Sequence, residues 1–268
     1  MTTPIVWPRK PRASMFGIVA GVLALLMTLA TLVDWKYGTG FSFRSVISNL
    51  TGDNEIVSRL LHPDWNQVWS ARTRKAFMET VYLAVLGTVA GAIVSLPLAL
   101  WSTRIGAPNG VVRVVVRTFS NINRALPDIG LALVFVAVVG IGTLAGFLAL
   151  FFFSIAVVTK LTSDTLDGVD TGPIEAATAA GARHAQVLRT AIVPQILPAY
   201  SSFVLYSFEL NLRASAVIGL VGAGGIGLRL KAFTSNFDWE SVSAIIVLFI
   251  IVVFVVDRLS TLLRRRLV

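Results

Sequence analysis

The sequence contains no cysteine, which excludes disulfides and every thiolate metal site. It has two histidines, His62 and His184, far apart and with no partner at ligand spacing, an arrangement that argues against a metal centre. The nucleotide pattern G-x-x-x-x-G-K-[ST] is absent, so any ATP-driven work requires a partner that carries a P-loop. Charge is scarce: Asp, Glu, Lys and Arg make up 14% of the 268 residues, against about 25% in soluble domains. The net charge of +9 comes without an aromatic-interleaved basic patch, so it does not point to nucleic acid. Lys and Arg retained in the cytoplasmic loops of a membrane protein account for it better.

What is present is apolar length. Hydrophobic residues make up 55% of the chain and the mean hydropathy is +0.78. Several uncharged stretches reach the roughly 20 residues that cross a bilayer. Spans are expected at about 15–33, 76–101, 113–139, 143–162, 196–221 and 241–261. The fold class is therefore an all-α integral membrane protein of six transmembrane helices. A basic start before the first span, with Arg9, Lys10 and Arg12, resembles a signal peptide. No small-x-small cleavage pattern follows it, and Trp35 and Tyr37 suit an interfacial anchor instead. Between 34 and 75, "FRSVISNL" and "EIVSRLL" read as short amphipathic surface helices. "GIGTLAG", Gly140 to Gly146, is the turn that divides the third span from the fourth. A polar outer loop holding Arg229, Lys231, Asp238, Trp239 and Glu240 is expected after the fifth span. The expected inner segments hold 13 Lys and Arg and the outer ones 8. That asymmetry favours cytoplasmic termini at both ends of a multi-pass protein.

Gly222, Gly224 and Gly227 fall in the spacing G-x-G-x-x-G, with Gly225 between them and Glu240 at about the distance of a ribose-binding acid. A dinucleotide site needs a strand before this turn and a second strand ending in the acid. Here Glu240 instead precedes "SVSAIIVLFIIVVFVV", too long for one buried strand. A close-packed break at the end of a helix fits better.

The segment "DTGPIEAATAAGARHAQVLRTAIVPQILP", Asp170 to Pro198, is unlike an ordinary connection between spans. Pro173 suits a first helical turn capped at Thr171 or Gly172, and Glu175 in that turn complements the helix dipole. "EAATAA" favours helix, Gly181 permits a turn, and "ARHAQVLRTAIV" can form a second helix ending before Pro194. A compact helix–turn–helix on the cytoplasmic side is expected, the plainer alternative being a simple surface helix.

Glu175-Ala176-Ala177, Gly181 and Ile192-Val193-Pro194 resemble the EAA loop of ABC importer permeases, Val193 departing from the leucine common before the proline. "RALPDIGLALVFVAVVGIG" and "FELNLRASAVIGLVGAGGIG" are similar, in the same order, to the permease of phosphonate importers, and the likeness covers about 76–262. The resemblance implies a type I permease core of five spans, with the first span an added N-terminal helix. It divides the chain into 1–75 (tail, first span, outer amphipathic segment), the core 76–262 with its cytoplasmic loop 163–195, and a basic cytoplasmic tail 263–268. It implies that Glu175, Ala176, Ala177, Gly181 and Pro194 couple to a separate ATPase. Gly222, Gly224, Gly225 and Gly227 become a gate-side turn.

Two charged pairs remain inside the spans, Arg124 with Asp128 and Glu209 with Arg213, each at i, i+4 spacing on one helix face. Their expected position near mid-depth makes them costly, about 3 kcal/mol per charge on insertion scales. Either they neutralise one another and hold helices in register, or with Asn121 and Asn211 they line a translocation path. Arginine suits a tetrahedral oxyanion through its planar fork. The expected function is the transmembrane subunit of an ATP-driven importer of phosphonate or a related phosphorus oxyanion in the cytoplasmic membrane. Its partners are two ATPase subunits, a second permease copy or paralogue, an external binding protein and membrane lipid. The chain itself carries no cofactor, ATP and magnesium belonging to the ATPase. A permease for phosphate, phosphite or a sulfonate is the nearest alternative. A membrane-embedded dinucleotide oxidoreductase and an ungated channel are readings of a different class.

Overall fold

The computed structural model describes residues 15–32, 47–48 and 54–267. The chain divides into two units, Met1–Ser58 and Arg59–Val268. In the first, helix α1 (Met15–Leu32) carries the expected first span, and its described apolar side chains, among them Leu23, Leu26 and Met27, are exposed. The basic tail before Met15, the anchor residues Trp35 and Tyr37, and "FRSVISNL" apart from Ile47 and Ser48 lie outside the described residues. The "EIVSRLL" segment forms α2 (Glu55–Leu60).

In the second unit, α3 (Trp65–Trp69) is capped by Asp64, whose Oδ1 accepts from the Asn66 amide at 3.0 Å. Ser70 then caps α4 (Ala71–Ser102), accepting from the Thr73 amide at 3.3 Å. There follow α5 (Gly110–Ala125), α6 (Asp128–Val139), α7 (Thr143–Leu166), α8 (Gly172–Ala179), the short α9 (His184–Val187), a π-turn at Leu188–Ile192, α10 (Val193–Leu220), α11 (Gly225–Ser235) and α12 (Trp239–Leu267). Four helical runs are long and apolar enough to cross a membrane, and the bent pair α5–α6 makes a fifth. Helix α1, in the other unit, has a shorter apolar stretch, Val19–Leu29, so among the described residues four or five spans stand against the six expected.

Three local expectations are corrected. The span expected at 113–139 is not straight, because α5 and α6 meet at 95°. Pro127 pushes Leu126 into an extended conformation (φ −80°, ψ 128°) and cannot donate to the α5 ladder. The outer polar loop after the fifth span is largely the helix α11, which carries Arg229 and Lys231. The second helix of the Asp170–Pro198 segment does not stop before Pro194. The π-turn runs directly into α10, where Pro194 sits in the first turn and lacks only an amide that turn leaves unpaired.

Buried apolar side chains form three layers along the bundle. Ala76, Ile226, Phe233, Val242 and Ile245 pack at the glycine-turn end. Leu83, Leu131, Ala132, Ala149, Leu150, Ala214 and Ile218 fill the middle. Ala99, Leu166, Val187, Ala191, Ile192 and Ile196 close the end that bears α8. Leu86 and Ile93 on α4 and Ile250, Ile251 and Phe254 on α12 remain exposed, an apolar surface suited to lipid tails.

The middle layer depends on a close approach of α4 and α7. A Cβ on Gly87 would stand 2.7 Å from the Leu150 Cβ, and one on Gly91 2.4 Å from the Ser154 Cβ. Two glycines one turn apart thus bring the helix backbones together, as small residues do at membrane helix interfaces. Gly91→Val should lower stability by about 1–3 kcal/mol through overpacking. It should lower the melting temperature of the purified protein in detergent, whereas Gly110→Ala, which meets nothing within 4 Å, should not. An unchanged melting temperature for Gly91→Val would contradict this packing.

Candidate functional site

The loop after α7 is built as a rigid projection. Asp170 Oδ1 accepts from the Gly172 amide at 2.9 Å, and the Thr171 carbonyl accepts from the Glu175 amide at 2.8 Å, starting α8 with Pro173 in its first turn. The N-cap is Thr171, without a side-chain bond to the helix. Gly181 ends the helix at φ +83°, a conformation open to glycine at little cost. Its amide donates to the Thr178 carbonyl at 2.9 Å and the Ala182 amide to the Ala177 carbonyl at 3.1 Å, a Schellman motif. Gln195 donates to the Ala191 carbonyl at 2.7 Å and to the Asp170 carbonyl at 3.4 Å, tying α10 to the entry of the loop. Glu175, Ala176 and Gly181 are exposed. Ile174 and Ala177 turn inward onto the layer around Ile192 and Ile196. One face of α8 is therefore anchored to the bundle and the other is exposed.

At the opposite end, Gly222, Gly224 and Gly225 all have positive φ and join α10 to α11. A Cβ on Gly227 would lie 2.0 Å from the Ala216 carbonyl oxygen, so the two helices pack almost backbone to backbone. The first amides of α11 are taken by α4: Gly225 donates to Glu79 Oε1 at 3.3 Å and Ile226 to Thr80 Oγ1 at 2.7 Å. In a dinucleotide fold the amides opening this helix would meet a pyrophosphate. Here a carboxylate and a hydroxyl of the chain itself occupy them, and helices rather than strands flank the turn. The G-x-G-x-x-G spacing serves helix packing.

The polar residues inside the bundle do not form the constellation expected from spacing. Asn211 is fully buried, and its Nδ2 donates to Thr88 Oγ1 and to Ser154 Oγ, each at 2.7 Å. Ser207 donates to the same Ser154 hydroxyl at 3.1 Å. Asn211 thus crosslinks α4, α7 and α10 and presents no polar atom to the surface of the chain. Glu209 is buried and pairs with Arg264 of α12 rather than with Arg213. Asp257 and Ser260 stand beside it. Arg213 is exposed one turn further along α10, in a groove of about 400 Å³ with Asp257 and Phe254. Arg124 and Asp128 are not paired, because the bend at Pro127 separates them. Arg124 opens with Asn121 into a cavity between α4, α5 and α7, and Asp128 Oδ1 accepts from the Ile129 amide at 3.0 Å at the start of α6. Asn123 is buried and donates to the Phe152 carbonyl at 2.7 Å. Arg264 and Asp257 were missed from the sequence. The signal was available: Asp257 interrupts the last apolar run, and an acid there needs a basic partner.

Residues 95–268 match the family described as binding-protein-dependent transport system inner membrane component. The chain is 32% identical to the phosphite transport system permease protein PtxC of Stutzerimonas stutzeri, over 91% of this chain and 88% of that one. It is 36% identical to the phosphate-import permease protein PhnE of Mycolicibacterium smegmatis, over 73% of this chain and 37% of the relative. Among solved structures, an inward-facing form of the MetNI methionine ABC transporter superposes with a TM-score of 0.64 at 24% identity, over 73% of this chain and 96% of that one. This last likeness concerns the fold.

The pairing of Glu209 with Arg264 makes a direct test. Removing one partner of a buried ion pair strands the other charge, whereas removing both does not. Glu209→Gln with Arg264→Gln should regain most of the thermal stability lost in either single variant, a coupling of about 1–3 kcal/mol. Glu209→Gln with Arg213→Gln should regain little. Equal rescue by Arg213→Gln would restore the pairing read from sequence spacing.

Proposed function

The chain belongs to the family of binding-protein-dependent transport system inner membrane components, and from that premise we propose that it passes a phosphorus oxyanion, phosphonate or its relatives phosphite and phosphate, across the cytoplasmic membrane. Membership makes it a multi-pass permease subunit of an ABC importer and not an enzyme, with ATP hydrolysed by a separate ATPase and solute delivered by a binding protein. The observation that carries the substrate class is the 32% identity to a phosphite permease over 91% of the chain. The phosphate-import relative supports the same class.

In this reading the end bearing α8 faces the cytoplasm, and both termini lie on that side. The exposed face of α8, with Glu175 and Ala176, enters a cleft of the ATPase, while Ala177 seats it against the bundle. Gly181 and Pro194 hold the geometry on either side: the first sets the exit turn and the second opens α10. Two ATPase subunits act on two permease chains, the second a copy or a paralogue. The glycine turn Gly222–Gly227 lies at the outer side, where its tight packing sets the position of α11. Arg213 is the path residue this reading favours, because it alone of the expected α10 set is exposed. Its guanidinium can give an oxyanion two parallel hydrogen bonds, and Asp257 nearby keeps that contact from becoming a trap. Asp128 stands at the start of α6, and Asn211 serves by positioning α10 rather than by touching solute. No cofactor belongs to the chain; ATP and magnesium are held by the ATPase.

The test is uptake into proteoliposomes containing the chain, its ATPase and its binding protein. ATP-dependent accumulation of methylphosphonate or phosphite should be saturable, compete with phosphate and be indifferent to methanesulfonate. Accumulation of methanesulfonate alone would overturn the substrate class. Glu175→Lys and Gly181→Asp should each cut uptake at least tenfold while ATP hydrolysis continues. Normal uptake in both variants would remove α8 from the coupling role.

A further inference from the structure

The cavity that receives Asn121 and Arg124 has features the importer reading does not use. Its volume is about 210 Å³, and it lies between α5 and the α8-bearing ends of α4 and α7. At about 30 Å³ for each water in the liquid, that is room for a tetrahedral oxyanion and several waters. On α5, Arg117, Ser120, Asn121 and Arg124 recur at three- and four-residue steps and share one face. The opposite face of the same helix is apolar, with Val115, Phe119 and Ile122 exposed. On α7, Thr159 and Lys160, then Asp167 further along, close the other wall.

Two properties set this cavity apart from a solvated groove. First, its cations outnumber its carboxylates. Arg117, Arg124 and Lys160 face a single lining acid, Asp167. Lys160 also pairs with Asp164 one turn along α7, but neither Arg117 nor Arg124 has a carboxylate partner among the described residues. Second, two hydroxyls in its wall are orphaned. Thr159 is 1% exposed and its Oγ1 has no hydrogen-bond partner. Ser120 Oγ, also buried, has none. Buried hydroxyls are normally satisfied, and a ligand rich in acceptor oxygens would satisfy both.

We propose that this cavity is a binding site for a phosphate-type oxyanion, held by Arg117, Arg124 and Lys160 with hydrogen bonds from Ser120 and Thr159. Guanidinium forks, an ammonium and hydroxyls from opposite walls match the tetrahedrally arranged oxygens of a phosphate, free or esterified, better than a planar carboxylate. The ion comes either free from solution or as the headgroup phosphate of a membrane phospholipid; the recognising chemistry is the same. The site depends on these side chains alone, so it holds whichever solute the importer carries, and uptake of a different solute would leave it untouched.

The experiment uses the full chain purified in detergent without the ATPase, whose own nucleotide site would bind phosphate. Inorganic phosphate is titrated by equilibrium dialysis into lipid-stripped protein, and retained phospholipid is counted by native mass spectrometry before stripping. Phosphate binding that falls at least tenfold in Arg117→Gln with Arg124→Gln, and also in Thr159→Val, supports a site for the free ion. Retained phospholipid lost in the same variants supports a headgroup site. Lys231→Gln, a charge change at the other end of the bundle, should alter neither. Thr159→Val exchanges the hydroxyl for a methyl of similar shape, so loss of binding with an unchanged melting temperature separates recognition from folding. The proposal is overturned if wild-type protein binds neither phosphate nor phospholipid, if both persist in the variants, or if binding depends on Arg213 instead.

Discussion

The contact on which the structure depends is the approach of α4 to α7 at Gly87 and Gly91. No side chain larger than hydrogen fits at Gly91 without displacing Ser154 or the Phe151 carbonyl. With the helices that close, Asn211 on α10 can reach Thr88 and Ser154 at once, at 2.7 Å to each. In a lipid environment there is no hydrophobic drive between helices, so close packing and interhelical hydrogen bonds must supply the association. Here both occur at one level of the bundle. The middle apolar layer around Leu150 and Ile218 surrounds them.

That junction fixes α10, and α10 joins the α8 loop to the glycine turn. Its first turns continue the loop through the π-turn at Leu188–Ile192, where Gln195 holds the Asp170 carbonyl. Its last turn enters the glycine turn, whose amides are held by Glu79 and Thr80 of α4. In the proposed coupling, a push on α8 would reach a helix pinned in the middle and at its far end. The Glu209–Arg264 pair adds α12 to the same lever. The pair is half-buried, Glu209 inside and Arg264 partly exposed, and it ties α12 to α10 across 55 positions of sequence.

Apolar length gave away the long helices of the core, and the glycine and proline punctuation gave most of the breaks. Gly181 was legible as a turn because few other residues adopt its φ of +83°. The α8 loop was legible because Pro173, Glu175 and an alanine-rich run all favour helix at the same place. The bend between α5 and α6 was written in Pro127 but was masked by the long, mostly apolar tract around it. Pairing of charges was not legible. Spacing at i, i+4 placed Glu209 with Arg213, yet those residues face different neighbours, and Arg264, 55 positions away, is the partner. One-dimensional spacing reports only neighbours on the same helix, whereas a buried charge takes whichever partner packing brings to it. The cavity at Arg117 and Lys160 was hidden for the same reason, since its two walls belong to helices separated by a bend and a turn.

In the proposed function, α8 is the point where ATP hydrolysis reaches the membrane helices. The absence of native cysteine makes this directly measurable. A single cysteine placed by Thr178→Cys, on the exposed part of α8, is combined with cysteines scanned along the partner ATPase. The pair should form a disulfide crosslink whose yield changes between the nucleotide-free and ATP-bound complex. Phe237→Cys, at the glycine-turn end, should give none. Crosslinking from Phe237→Cys with none from Thr178→Cys would contradict both the orientation and the coupling role.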